Sequence, residues 1–188
     1  MGLRLIFLGP QGSGKGTQAS RLARLMGVPH VSTGVMLRQA VADGTDLGKK
    51  ADAIMQAGDL VPDDLVVAMV GERLSQADAK CGYLLDGFPR NVSQAAALDA
   101  VLEAPLDGLV QLDVPHEELM NRMLLRAQAE GRADDTEEGI SRRLAIYWDE
   151  TAPLSDYYRV NGVPVYTVDG FGEIDEVTGR VALALAVE

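Results

Sequence analysis

The chain alternates short apolar runs with longer segments in which apolar residues recur at helical spacing. Each short run has the length and composition of a buried strand. The five runs are Leu5–Leu8, Pro29–Val31, Tyr83–Leu85, Leu109–Leu112 and Val163–Val168. Alternation of this kind predicts an α/β fold, with a parallel five-stranded sheet flanked by helices and right-handed crossovers. Ligands of such sheets bind at the carboxyl ends of the strands.

Two stretches interrupt the alternation and are expected to form mobile flaps. Residues 32–61 predict short helices broken at Gly44, Gly48 and Gly58, and residues 126–136 are polar and charged. No internal repeat, low-complexity tract or proline-rich linker separates them from the rest of the chain. We therefore expect one domain over residues 1–188, consisting of a core (1–31, 62–125 and 137–188) and two insertions (32–61 and 126–136).

Charge and composition restrict the classes of partner. The chain has 188 residues, of which 47% are hydrophobic and 24% charged, and its net charge is −11. This charge argues against nucleic acid as a partner, because proteins that bind polyanions present basic surfaces. No apolar run approaches the roughly 20 residues that span a bilayer, and the first run leads into a glycine-rich loop rather than a cleavage site. We expect a cytoplasmic monomer whose partners are small molecules and not membranes.

The single cysteine, Cys81, excludes an intrachain disulfide and a cysteine-rich zinc site. The chain has only two histidines, His30 and His116, and neither is near Cys81 in sequence. We therefore expect Cys81 to be a small buried hydrophobic residue rather than a nucleophile. For His30, beside the end of the second strand, we expect a packed or hydrogen-bonded role rather than a catalytic one.

The first strand leads into the segment Gly9-Pro10-Gln11-Gly12-Ser13-Gly14-Lys15-Gly16-Thr17. Its G-x-x-x-x-G-K spacing is typical of a phosphate-binding loop, in which backbone N–H groups and a helix N-terminus bind phosphate and Lys15 adds a positive charge. The Ser or Thr that usually follows the lysine is replaced by Gly16, and Thr17 comes one place later. A glycine-rich turn without a ligand is disfavoured, because glycines at this density weaken a chain unless close backbone approach requires them.

Asp86 ends the third apolar run, in the segment Tyr83-Leu84-Leu85-Asp86-Gly87. A carboxylate at this edge of a phosphate-loop fold is placed to hold Mg²⁺, directly or through water, beside a nucleotide's phosphates. An aspartate before a glycine also commonly caps a turn. Together with the phosphate loop, its position favours the magnesium role.

Further motifs make the chain resemble the adenylate kinases along its whole length. They are STG at 32–34 with Leu37-Arg38, GDLVPD at 58–63, DGFPR at 86–90 with Gln94, GRADD at 131–135 and DETAPL at 149–154. The resemblance implies a P-loop NTPase-like fold with an AMP-binding flap at 32–61 and a short, zinc-free lid at 126–136. It also implies reversible, Mg²⁺-dependent phosphoryl transfer, in which ATP and AMP give two ADP.

Carried over residue by residue, the resemblance also implies which residues bind each substrate. Those that bind ATP are Gly12, Ser13, Gly14, Lys15, Gly16, Thr17, Arg122 or Arg126, and Gly172. Those that bind AMP are Thr33, Arg38, the backbone of Asp59, Leu60 and Val61, then Gly87, Phe88, Pro89, Arg90 and Gln94, with Arg132 and Arg143 on the transferring phosphates. The implied catalytic residues are Lys15, Arg90, Arg132 and Arg143, with Asp86 holding Mg²⁺ through water.

The arginines favour the same chemistry without the resemblance. Arg38, Arg90, Arg126, Arg132 and Arg143 all lie in or beside the flaps and strand ends. The guanidinium group binds phosphate bidentately and stays charged at neutral pH. One such arginine alone is as often a surface charge, but five at these places indicate a phosphate site.

Two other functions remain open at this point. Another nucleoside monophosphate kinase, accepting CMP or UMP, would use the same phosphate-binding arginines. A nucleotide-dependent switch would share the phosphate loop, but it has no need for a second arginine-lined pocket with its own flap.

Overall fold

The computed structural model describes residues 3–102, 104–130 and 136–186. Its strands are β1 (Arg4–Leu8), β2 (His30–Ser32), β3 (Tyr83–Asp86), β4 (Gly108–Asp113) and β5 (Val165–Asp169). They form one parallel sheet in the order β2-β3-β1-β4-β5. The predicted α/β class and the five strands are confirmed. The last strand begins later than predicted, because Pro164 has no N–H group to donate to the ladder.

Helices cover both faces of the sheet. They are α1 (Lys15–Met26), α2 (Thr33–Ala42), α3 (Asp46–Ala57), α4 (Asp63–Leu74), α5 (Val92–Val101), α6 (His116–Glu130), α7 (Glu137–Ile146), α8 (Leu154–Val160) and α9 (Ile174–Leu185), with a π-helical turn at Tyr147–Thr151. Side-chain caps define several of their starts: Asn91 accepts a hydrogen bond from the backbone of Gln94, and Thr136 from that of Gly139. Within the described residues, no helix is both long and apolar enough to cross a membrane.

The alternation of side chains along β1 produces two separate cores. Leu5 and Phe7 point to one face of the sheet, where they pack with residues of α1 and α9. Ile6 and Leu8 point to the other face, where they join the larger core beneath α2, α4, α5 and α8. These four side chains are almost fully buried, and burying each contributes about 1.5–3 kcal/mol. The central strand is therefore fixed from both sides, which in turn fixes the loop that follows it.

The insertion 32–61 is a pair of helices, α2 and α3, joined by a tight turn. Gly44 lies in the turn with a φ of +64°, and Gly58 ends α3 with a φ of +81°, so both act as the predicted breaks. The predicted break at Gly48 is wrong, because this residue lies inside α3. A Cβ at Gly48 would lie 2.0 Å from the carbonyl oxygen of Ala40, so glycine is required there by the close approach of α2.

The second insertion was predicted at 126–136. Its first residues belong to α6, which continues to Glu130, and residues 131–135 lie outside the described residues.

The prediction that Cys81 is buried is wrong: its side chain is exposed. It follows a short 3₁₀ turn, Ala77–Ala79, on the surface before β3, and only the next residues enter the sheet.

The contact between α2 and α3 can be tested by adding one methyl group. We expect Gly48→Ala to destabilise the protein by about 1–3 kcal/mol, because the added Cβ forces the two helices apart. Gly71→Ala in α4 is the matched control, since a Cβ there meets nothing within 4 Å. That control is expected to gain up to about 1 kcal/mol from helix propensity. Chemical denaturation measures the free energy of unfolding of both variants. Equal effects of the two substitutions would contradict the close contact between α2 and α3 at Gly48.

Candidate active site

The phosphate loop connects β1 to α1 at the carboxyl edge of the sheet. Gly14, with a φ of +85°, is the residue before the first turn of α1 and has no side chain to cap it. The N–H groups of that turn are therefore available to an anion. Lys15 begins the helix, and its Nζ donates to the carbonyl oxygen of Pro10 at 3.2 Å. This contact bends the lysine back over the loop.

A cavity of about 540 Å³ extends from this loop to α2 and α3. One part of the cavity, called here the ATP side after its predicted ligand, is lined by Gly12, Gly14, Lys15, Gly16, Thr17, Arg122 and Arg126. The other part, called the AMP side after its predicted ligand, is lined by Thr33, Arg38, Asp59, Leu60, Val61, Gly87, Arg90, Gln94 and Arg143, and Asp86 also lines the cavity. Residues far apart in the sequence thus line one cavity at the carboxyl ends of the strands, where ligands of parallel sheets bind.

Four predicted residues do not line this cavity, and a fifth lies outside the described residues. Ser13 is 1% exposed beneath the loop, and Phe88 is 1% exposed in the larger core. Pro89 lines a smaller cavity adjoining the main one. Gly172 lies in the loop after β5, beside the side chains of Glu176 and Arg180. Arg132 lies outside the described residues.

Asp86 lies at the end of β3, in register with Phe7 of β1 and Ser32 of β2. The carboxylate Oδ2 is 3.2 Å from Nε2 of His30, which also lines the cavity, so the expected hydrogen-bonded role of His30 is confirmed. Burial raises the pKa of the Asp86 carboxyl, but the contact with His30 and the positive charge of Lys15 outweigh it and hold that pKa below its ordinary value. Asp86 is therefore ionised at neutral pH.

Three arginines approach one another on the AMP side. Burial lowers the pKa of the Arg90 guanidinium; Asp86 opposes this effect, and repulsion from Arg143 and Arg38 adds to it. The group stays protonated at neutral pH, so the cavity concentrates positive charge beside the Asp86 carboxylate. Such a cluster of guanidinium groups matches the charge of a polyphosphate.

The backbone of Gly87 holds two of the AMP-side residues in place. Its carbonyl oxygen accepts hydrogen bonds from Oγ1 of Thr33 and from Nε of Arg90, both at 2.8 Å. A Cβ at Gly87 would lie 3.0 Å from Oγ1 of Thr33, and the φ of +76° also disfavours a side chain. The DGFPR segment therefore needs glycine at this position to bring Thr33 and Arg90 together.

The ATP side is organised around Arg122. Its Nε donates to Glu118, one turn earlier on α6, at 2.6 Å, and one terminal nitrogen donates to the carbonyl oxygen of Gly170 at 3.2 Å. These contacts hold α6 against the loop after β5. Both Arg122 and Arg126 line the cavity, so the geometry keeps both as candidates for contact with ATP.

One ion pair between α7 and the end of the 32–61 segment was not predicted from the sequence. Nε of Arg142, on α7, lies 2.5 Å from the Asp59 carboxylate at the end of the 32–61 segment. Only the backbone of Asp59 was expected to take part in the site. No sequence signal joins the two residues, since they are 83 positions apart and their pairing depends on how α7 packs beside Gly58.

The parallel sheet, its phosphate loop and the arginine-lined cavity define a P-loop phosphotransferase of the nucleoside monophosphate kinase class. The family model described as adenylate kinase matches residues 7–163. Adenylate kinases of Stenotrophomonas maltophilia (strain R551-3) and Xylella fastidiosa (strain M12) are 50% and 49% identical to the chain over 186 residues, which is 97% of this chain and 99% of each relative. The adenylate kinase of Xanthomonas axonopodis pv. citri (strain 306) is 51% identical over 186 residues, again 97% of this chain and 99% of the relative. The chain belongs to the adenylate kinase family.

Proposed function

We propose that the protein catalyses the reversible, Mg²⁺-dependent reaction ATP + AMP = 2 ADP and so balances the adenine nucleotide pool. The observation that carries the proposal is the single cavity in which the phosphate loop faces Arg38, Arg90 and Arg143. One phosphate-binding element is enough for a nucleotide-binding switch. Two opposed elements are what a transfer between two nucleotides requires.

The chemistry needs alignment and charge neutralisation rather than a general base. The acceptor oxygen of a nucleoside monophosphate is already ionised at neutral pH, so no proton has to be removed from it. Lys15 and the N-terminus of α1 bind the phosphates of the donor, while Arg90 and Arg143, with Arg132 from the lid, bind the phosphates between which transfer occurs. Fixed positive charges that face the transferring group stabilise its transition state without reorganisation during the reaction.

The residues present fit a magnesium ion carried in with the nucleotide. Asp86 is an ionised carboxylate at the cavity. Gly16 lies beside this carboxylate, and a Cβ at Gly16 would lie 3.3 Å from Oδ2 of Asp86. The glycine therefore leaves space next to Asp86 that a side chain would fill. Mg²⁺ keeps several waters and takes few protein carboxylates, which suits one Asp86 acting through water. When bound, the ion would supply positive charge that offsets the negative charge of the nucleotide's phosphates. We propose that no zinc is required, since the chain has a single cysteine and so cannot form a cysteine-rich zinc site.

We assign the two insertions to the two substrates. Residues 32–61 form the AMP-binding flap, with Thr33, Arg38 and the backbone of 59–61 around the acceptor. Residues 126–136 form a short lid over ATP, to which Arg126 and Arg132 belong. Closure of both would exclude water, which otherwise competes as acceptor. We further propose a cytoplasmic monomer, since all of the assigned groups come from one chain.

The reaction is tested by a coupled assay of ADP production, with ATP and each of AMP, CMP, UMP and GMP as acceptor. We expect AMP to be the preferred acceptor, and activity to disappear when Mg²⁺ is omitted. A zinc-selective chelator is expected to change neither activity nor Tm. Preference for CMP or UMP would move the protein to another nucleoside monophosphate kinase, and hydrolysis of ATP without any acceptor dependence would favour the switch.

The role of Lys15 is tested by Lys15→Met, which keeps the length of the side chain and removes its charge. We expect kcat to fall by at least about a hundredfold, the range for loss of one electrostatic donor to the transition state. Lys49→Met is the matched control, because Lys49 lies on α3 with its side chain 71% exposed. Near-normal turnover of the Lys15 variant would remove this residue from the mechanism.

A further inference from the structure

Asp63, the first residue of α4, receives hydrogen bonds from two side-chain amides. Nε2 of Gln94 donates to its Oδ1 at 2.7 Å, and Nδ2 of Asn91 lies 3.2 Å from both carboxylate oxygens. Gln94 is only 1% exposed, yet it lines the cavity on the AMP side. Asp63 does not itself line that cavity, so it acts on the site only through its neighbours.

The oxygen of the Gln94 amide is also held by a hydrogen bond. Its Oε1 accepts a hydrogen bond from the backbone N–H of Arg90 at 2.8 Å. The backbone N–H of Gln94 donates in turn to Oδ1 of Asn91, the residue that caps α5, at 2.8 Å. A carboxylate only accepts hydrogen bonds and a backbone N–H only donates. The two partners therefore allow one orientation of the amide, with its nitrogen towards Asp63 and its oxygen towards Arg90.

This orientation determines what the amide offers to a base. A glutamine amide has two N–H donors and two acceptor lone pairs, and one of each is used by the contacts above. One donor and one acceptor remain. The edge of adenine carries an N6 donor next to an N1 acceptor, whereas hypoxanthine carries an O6 acceptor next to an N1–H donor. An amide free to rotate by 180° would serve both bases, but an amide held in one orientation serves only one of them.

We propose that Asp63 is a positioning residue that sets the base selectivity of the acceptor site by holding the Gln94 amide in the orientation that reads adenine. The proposal rests on the proposed function, since it assumes that AMP binds beside Gln94. A hydrogen bond to a carboxylate is roughly twice as strong as one between neutral groups. Asp63 thus contributes the stronger of the two constraints on the amide, and the N–H of Arg90 the weaker.

The test compares Asp63→Asn with Asp64→Asn, using AMP and inosine monophosphate as alternative acceptors at saturating ATP. The introduced amide is nearly isosteric with the carboxylate but can donate as well as accept, so it no longer enforces one orientation of Gln94. Asp64 lies in the same first turn of α4 and is exposed, so the control removes an identical charge from the same helix terminus. Any general effect on α4 appears in both variants.

For Asp63→Asn we expect the ratio of kcat/KM for AMP to that for inosine monophosphate to fall by at least about tenfold, the effect expected from one hydrogen bond to a charged group. The change should come mainly from the KM for the acceptor, with the KM for ATP unaltered. Asp64→Asn should keep the ratio of the unsubstituted protein. A role confined to stability would lower Tm in the Asp63 variant while leaving the ratio unchanged, and that result would overturn the proposal.

A double variant keeps the proposal testable if Asp63→Asn folds poorly. Combining Asp63→Asn with Gln94→Glu exchanges the amide and the carboxylate. The backbone N–H of Arg90 can still donate to the side chain at position 94, and the side chains at positions 63 and 94 can still form a hydrogen bond with donor and acceptor reversed. Position 94 then presents only acceptors, which match the N6 donor of adenine and the N1–H donor of hypoxanthine alike and meet one acceptor on each base. The preference for AMP over inosine monophosphate should therefore be lost, and an undiminished preference for AMP in the double variant would contradict the proposal. Failure of the unsubstituted protein to phosphorylate AMP would instead refute the proposed function, so the two failures are distinguishable.

Discussion

Repulsion among the guanidinium groups of Arg38, Arg90 and Arg143 is the constraint around which this structure is built. Like charges gathered in a partly buried cavity cost free energy until an anion joins them. Burial is the main cause of the lowered pKa of Arg90, and repulsion from Arg143 and Arg38 lowers it further. The chain holds them there with backbone acceptors: Nε of Arg90 donates to Gly87, and Nε of Arg143 donates to Gly139 at 3.2 Å. Bound phosphate relieves the repulsion, so the same charges that weaken the empty site strengthen substrate binding.

The sheet makes this arrangement possible. Parallel strands end at one edge, so the loop after β1, Asp86 at the end of β3 and Thr33 after β2 meet although they are distant in sequence. The two cores on either face of β1 fix that edge rigidly. The 32–61 segment packs on the larger core through Leu37, Ala51 and Val61. The ion pair between Asp59 and Arg142 links its end to α7.

Local signals in the sequence predicted the fold and most of the cavity lining, because strand periodicity, the phosphate loop and DGFPR each depend on neighbouring residues. Predictions failed where the answer depended on tertiary packing. Gly48 reads as a helix break but serves a helix–helix contact, and Cys81 is apolar in character but lies in a surface turn. Asp63 ends the GDLVPD motif, but its contact with Gln94 could not be predicted, since an acidic residue in a first helical turn is explained by the helix dipole alone.

We propose that donor and acceptor phosphates bind in one cavity, between Lys15 on one side and Arg38 on the other. A single molecule with two adenosines joined by five phosphates tests it most directly, because linking the two halves makes occupation of the second site intramolecular. Thermal melts would compare this compound with ATP and with AMP at equal concentration. A clearly larger rise in Tm is expected for the linked compound; at a hundredfold excess over its Kd the gain in stability is about 2.7 kcal/mol. A shift no larger than that caused by ATP would contradict the binding of both nucleotides in one cavity.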